Sequence, residues 1–229
     1  MEEIRLIDIK EEILSDNRGL ADQLREKLSK ENVFFINIMG SPGAGKTSLI
    51  LKTIEALTHR YRIAVIEADI DSMVDSEKIA ALGIHAVQIH TGGFCHVDAS
   101  MVEKAVESLP FGDLELLILE NVGNLVCPAE TDTGAFKNVA ILSVPEGDDK
   151  PLKYPLIFTV CDALVVNKLD YMDLTDFDLD RMRKRTRALN ERIQVFPLSC
   201  KTSHGTENWI RWLEQEISNF QNKPLLEPG

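Results

Sequence analysis

A chain of 229 residues, 44% hydrophobic and 27% charged, is long and apolar enough for one α/β domain with a small appendage. Its net charge of −12 argues against nucleic acid as the main ligand, because phosphate contacts supply most of that affinity; a nucleotide held locally by loop amides, a lysine and a metal ion is no exception. No run approaches the ~20 apolar residues of a membrane span, the start Met1-Glu2-Glu3-Ile4 lacks a signal-peptide pattern, and Cys95, Cys127, Cys161 and Cys200 are too sparse for a disulfide scaffold, so a reduced, cytoplasmic protein without a membrane role is expected.

In chain order, residues 5 to about 30 read as one or two polar helices with a thin stripe of Ile9, Ile13, Leu20, Leu24 and Leu28. Residues 1–30 are therefore taken as an N-terminal helical extension, 31–222 as the main domain, and 223–229, with two prolines, as a flexible tail. The extension could pack on the flank of the domain or on a partner. Val33 to Met39 is strand-like and Ser48 to Leu57 has helical apolar spacing. Between them stands Gly40-Ser41-Pro42-Gly43-Ala44-Gly45-Lys46-Thr47, a full G-x-x-x-x-G-K-[ST] phosphate loop. Its glycines let successive N–H groups turn inward around phosphate oxygens, and the helix that opens near Ser48 adds its positive end. Lys46 can reach the β- and γ-phosphates as a catalytic cation, and the Thr47 hydroxyl can ligate Mg²⁺.

Strand and helix signals then alternate. Arg62–Asp69, His85–His90, Leu114–Glu120, Val139–Val144, Ala163–Val166 and Ile193–Leu198 read as strands. Asp75–Leu82, Ala99–Ser108, Asp178–Asn190 and Thr206–Asn219 read as helices. Leu114–Glu120 is almost wholly apolar, as expected of a strand buried on both faces of a parallel sheet. The fold class that follows is an α/β P-loop NTPase with a doubly wound, mostly parallel sheet flanked by helices, and ligands at the strands' carboxyl ends.

Three signals fall at those ends. Asp69, Asp71 and Asp75 lie at and after the second strand, where one of them is expected to contact Mg²⁺ or position the attacking water; Asp69 and Asp75 are the chosen metal ligands here, and Asp75 joins Lys46 and Glu120 as a catalytic candidate. Glu120 can hold Mg²⁺ or its water, and the Gly123 N–H can sense the γ-phosphate. Ordinary GTPases carry Asp and a nearby Gln where Glu120 and Asn124 stand, so slow intrinsic hydrolysis needing a partner or dimerisation is expected. Asn167-Lys168-Leu169-Asp170 is an N-K-x-D signature for GTP and GDP: the Asp170 carboxylate accepts two hydrogen bonds from guanine, whereas adenine would leave it badly paired. Ser199-Cys200-Lys201 fits the loop that completes base recognition.

Cys95-His96 and Cys127 supply two thiolates and an imidazole, a set suited to Zn²⁺ or Ni²⁺ but one ligand short of a tetrahedron. A second copy of the chain, water or a partner would complete it. Asp98 is expected to cap the following helix, whose N-terminus would lower the Cys95 pKa. On spacing alone the alternative of small buried thiols stays open, and packing is the reading for Cys161 and Cys200.

The phosphate loop, Glu120-Asn121-Val122-Gly123-Asn124-Leu125-Val126-Cys127-Pro128, Phe94-Cys95-His96 and Asn167-Lys168-Leu169-Asp170 together resemble the HypB family of hydrogenase nickel incorporation proteins, over roughly residues 30 to 215. The related urease accessory GTPase UreG would carry Cys-Pro-His, and here no proline separates Cys95 from His96. The resemblance implies a GTP-hydrolysing metallochaperone that helps deliver Ni²⁺ to the large subunit of [NiFe]-hydrogenase, with a nickel-binding partner, HypA, and GTP-dependent homodimerisation. It also implies a metal site of Cys95, His96 and Cys127 at the dimer interface, and a basic residue, Lys153, reaching the other subunit's nucleotide. Residues 1–30 hold neither Cys nor His, so no N-terminal nickel store is expected. A metal-binding module that only binds nucleotide, and a small-molecule kinase, are the rival readings. The basic run Arg181 to Arg187 is read as a solvated helix face, with acid at its start, where an acidic partner patch could dock.

Overall fold

The computed structural model describes residues 9–69, 79 and 82–221. Apolar runs too short and too β-branched for helices form the centre: β1 (Phe34–Gly40), β2 (Ile63–Asp69), β3 (His85–His90), β4 (Leu116–Gly123), β5 (Lys137–Ser143), β6 (Ala163–Asn167) and β7 (Gln194–Pro197). They make one seven-stranded sheet in the order β3-β2-β4-β1-β5-β6-β7. Every pairing is parallel. From β1 the chain builds outward to β2 and β3, returns through β4, and then lays down β5 to β7 on the other side. That reversal opens a crevice at the carboxyl end of β1.

The helices are α1 (Ile9–Lys30), α2 (Lys46–Leu57), α3 (Ala99–Val106), α4 (Cys127–Glu130), α5 (Lys150–Lys153), α6 (Pro155–Val160), α7 (Leu179–Leu189) and α8 (Thr206–Gln221). Alternation along the strands sends side chains to two faces. Phe34, Ile36 and Ile38 of β1 pack with Ile50 and Ile54 of α2 and Trp209 and Leu213 of α8. Phe35 packs oppositely with Leu24 and Leu28 of α1 and Val102 of α3. Farther along that face, Leu164 and Val166 meet Phe158 and Met182.

α1 is a single helix from Ile9, and it packs on the domain's flank. Its buried line runs through Asn17, Ala21, Leu24 and Leu28, and Leu20 is only half-buried. The expected helix Asp75–Leu82 falls mostly outside the described residues, as do Asp71, Asp75 and the tail 223–229; Ile79 is helical and fully buried in the α2–α8 core. Asp178 caps α7 by accepting the Arg181 N–H at 2.9 Å, and the basic run is largely paired: Arg183 with Asp180, and Arg181 and Arg185 with Asp148. Among the described residues no helix is long and apolar enough to cross a membrane.

One feature of the sheet escaped the sequence reading. Asn37, in the otherwise apolar β1, accepts from Asn121 of β4 at 3.1 Å and donates to Asn138 of β5 at 3.0 Å. An amide ladder therefore crosses three central strands, each buried group partnered as burial requires. At the outer side, Gln194 and Leu198 direct their N–H groups to β6, which turns Val195 and Pro197 to the free edge.

Trp209 is fully buried, and its indole N–H donates to Thr53 Oγ1 at 2.9 Å. Trp209→Ala is expected to destabilise the fold by about 3–5 kcal/mol in urea unfolding, the usual cost of an aromatic core deletion; a loss under about 1 kcal/mol would show that α8 is not a core element.

Candidate functional site

The phosphate loop runs from the end of β1 into the first turn of α2. Gly40, Ser41, Pro42, Gly43, Ala44, Gly45, Lys46 and Thr47 form one turn, with Ser48 exposed on the helix. Gly45 has φ 102°, and a Cβ there would collide with the Asn167 amide. Both facts demand glycine. Lys46 is 7% exposed and its Nζ lies over the loop, donating to the Gly40 and Ser41 carbonyls at 3.4 Å each. Thr47 Oγ1 donates to Glu120 Oε1 at 3.0 Å, so the hydroxyl and the carboxylate expected at one Mg²⁺ ion are adjacent. Glu67, which the sequence reading passed over, is buried on β2 in register with Glu120; in-register neighbours share a face. The only sequence signal for it was an acid inside an apolar strand. Asp69 ends β2, but its side chain and all of Asp75 lie outside the described residues.

Gly123 ends β4 against the phosphate loop. A Cβ there would sit 2.8 Å from Pro42 Cγ. The next residue, Asn124, forms an antiparallel backbone bridge with Gly40.

The N-K-x-D segment closes the other end of the crevice. Asn167 Nδ2 donates to the Ala44 carbonyl at 3.0 Å, while its Oδ1 accepts the Cys200 N–H at 3.1 Å. Lys168 adopts the left-handed φ of 62°, and its Nζ donates to the Gly43 carbonyl at 2.6 Å. Asp170 accepts from Ser199 Oγ at 2.6 Å, and Lys201 Nζ lies 3.9 Å from its other oxygen. The Ser199 hydrogen bond holds the Asp170 carboxyl below the ordinary carboxylate range, with Lys201 and Lys168 adding to it. Burial pushes the Cys200 thiol up to about 11, so this cysteine serves through its backbone and packing.

Cys95 and His96 stand in the loop before α3, and Cys127 opens α4. Cys95 Sγ is 3.8 Å from His96 Nδ1, and the Cys127 thiol is its main electrostatic neighbour. That neighbour raises the Cys95 pKa, contrary to the expected lowering. The reason is local: α3 begins only at Ala99, and its first turn is capped by Asp98 Oδ1, which accepts the Met101 N–H at 2.9 Å. Among the described residues no three His, Cys, Asp or Glu side chains are arranged to hold a metal ion by themselves. Asn124 joins the thiol loop to the nucleotide crevice: its Nδ2 donates to the Cys95 carbonyl at 3.3 Å. Lys153 is exposed and pairs with Asp149 at 2.6 Å, which raises its pKa.

The model of the CobW/HypB/UreG nucleotide-binding domain matches residues 34–197. The hydrogenase maturation factor HypB of Azotobacter vinelandii is 44% identical over 214 residues, covering 93% of this chain and 70% of that protein. The crystal structure of HypB from Archaeoglobus fulgidus superimposes with TM-score 0.84 at 38% identity, over 89% of this chain and all of that one. HypB from Helicobacter pylori, solved in complex with nickel, gives TM-score 0.85 at 34% identity, over 91% of this chain and 99% of that one.

Because a Cβ at Gly123 lies within 3 Å of Pro42, Gly123→Ala is expected to displace the phosphate loop and weaken nucleotide binding at least tenfold, with global stability changed far less. Titration with a fluorescent nucleotide beside a thermal melt reads both; unaltered affinity would place Gly123 outside the phosphate site.

Proposed function

This chain belongs to the CobW/HypB/UreG family, among the hydrogenase maturation factors called HypB, and on that premise we propose that it is a GTP-hydrolysing metallochaperone that carries Ni²⁺ or Zn²⁺. The carrying observation is the position of Asn124, which bridges to Gly40 of the phosphate loop by its backbone and to Cys95 by its side chain. Through that residue, events at the γ-phosphate reach the thiols.

GTP binds with its phosphates in the loop from Gly40 to Thr47, Lys46 on the β- and γ-phosphates, and its base at Asn167, Asp170 and the loop of Ser199, Cys200 and Lys201. Thr47 and Glu120 hold Mg²⁺, with Asp69 and Asp75 as the remaining acidic candidates, and Asp75 orients water. Mg²⁺ neutralises charge developing on the transferred phosphoryl group. Gly123 senses the γ-phosphate, and hydrolysis relaxes the segment that ends in Cys127, loosening the metal. The donors Cys95, His96 and Cys127 meet those of a second copy in a homodimer. Supporting this, exposed apolar side chains flank both thiols, Phe94 and Val126, and recur every fourth residue at Leu152, Leu156 and Val160, exposed by 64%, 41% and 38%. Lys153 lies on the same stretch, where it could exchange Asp149 for the other subunit's phosphates. The cargo passes to the [NiFe]-hydrogenase large subunit, with a nickel-binding partner of the HypA type.

Two experiments bear on this reading. Ni²⁺ and Zn²⁺ affinity is expected to differ at least tenfold between GDP and a non-hydrolysable GTP analogue, and the difference to vanish in Cys127→Ala; equal affinity in all four states removes the coupling. Separately, the carboxylate of Asp170 must be ionised to accept from guanine, and its pKa is depressed. Affinity for a fluorescent GDP analogue should therefore persist down to the ordinary carboxylate range, about pH 4, and fall below it. Ser199→Ala, by releasing the depression, should move that acid limb to higher pH; an unmoved limb means that Asp170 does not read the base.

A further inference from the structure

The two donor segments, one ahead of α3 and one opening α4, are far apart in sequence, and one side chain of α1 ties both. Asn17 is 8% exposed. Its Oδ1 accepts the N–H of Ala99 at 3.0 Å, the first residue of α3, close behind His96. Its Nδ2 donates to the carbonyl of Asp132 at 2.8 Å, in the loop that follows Cys127 and α4. Farther along α1, Arg25 reinforces the second tie: Nη2 pairs with Asp132 Oδ1 at 2.5 Å and Nε donates to the Ala135 carbonyl at 3.4 Å. Asp132 Oδ1 also accepts the Gly134 N–H at 2.9 Å, and Gly134 is packed so closely on α1 that a Cβ would meet Leu24 Cδ2 at 2.9 Å. The amide supplies its acceptor and its donor on two separate atoms, so it can face both segments at once; Asp lacks the donor and Leu lacks both.

We propose that α1 is a clamp and Asn17 its positioning residue, setting the separation between Cys95-His96 and Cys127 and thereby how firmly the chain holds a thiophilic metal ion. The metal part of this rests on the reading given under Proposed function; the clamp itself rests on hydrogen bonds to the backbone of both segments. Groups that orient metal ligands without touching the metal commonly change affinity by about 10–100-fold when removed. The same scale is expected here.

The test uses the full chain with GDP bound and four forms: wild type, Asn17→Ala, Cys127→Ala, and Leu28→Ala, which removes a buried apolar side chain of α1 and leaves both Asn17 hydrogen bonds in place. Three readouts are taken: Ni²⁺ affinity with the thiolate-to-nickel absorption band, affinity for phenylarsine oxide, which needs two thiols within reach of one arsenic atom, and GDP affinity. Asn17→Ala should lose ten- to a hundredfold in Ni²⁺ affinity, weaken the absorption band and bind the arsenical less tightly, with GDP affinity unchanged. Leu28→Ala should lower the melting temperature but leave both thiol readouts at wild-type values. The clamp is overturned if Asn17→Ala binds nickel and arsenical as wild type does, or if Leu28→Ala loses as much as Asn17→Ala. If the arsenical weakens in Asn17→Ala while Cys127→Ala binds nickel like wild type, the clamp stands and it is the metal reading that fails.

Discussion

The amide of Asn167 joins three loops that the chain makes far apart: its nitrogen donates to the phosphate loop at Ala44, and its oxygen accepts from Cys200 in the loop after β7. Buried amides of this kind are strongly asymmetric in their energetics. Satisfied, each hydrogen bond contributes about 0.5–1.5 kcal/mol net, but stripping one partner away exposes a desolvation cost of about 1–3 kcal/mol. The phosphate end and the base end of the crevice are therefore coupled through one amide, and Gly45 must lack a side chain to let that amide approach.

The same device recurs outward from the crevice. Asn37 and Asn121 lock β1 to β4 beneath the loop, Asn124 links the end of β4 to the thiol loop, and Asn17 reaches both thiol-bearing segments from the opposite side. Asparagine suits these places because it donates and accepts without carrying a charge, so burial costs no ionisation. At Glu120 a carboxylate stands instead, accepting from the Thr47 hydroxyl. The apolar core decides that the sheet forms; the amides decide how its loops stand relative to one another.

What the sequence disclosed, and what it withheld, follows from which interactions are local. Runs such as Leu116 to Leu119 are apolar because helices cover both faces, so the strands and the parallel doubly wound plan could be read from composition and alternation. The phosphate loop and the N-K-x-D segment are contiguous, and contiguous chemistry is legible. Contacts across a hundred residues are not. Asn17 reads as one more polar residue on a polar helix until Ala99 and Asp132 are seen beside it. The Cys95 pKa went the wrong way for a similar reason: distance along the chain placed a helix start nearby, but the thiol of Cys127, thirty-odd residues on, and burial decide the outcome. Lys153 was assigned from a resemblance alone, and in the single chain its charge is occupied by Asp149.

The outer strand β7 carries one more consequence. It is four residues long, and Pro197, turned to the free edge, has no N–H to offer, so Val195 is left as the lone outward backbone donor. Such a border gives an incoming strand almost nothing to ladder onto, which guards against runaway edge-to-edge growth. Along this border a second copy of the chain can be met only through side chains on helices and loops, by contacts that can be undone, whereas β3, the opposite border of the sheet, carries no such proline.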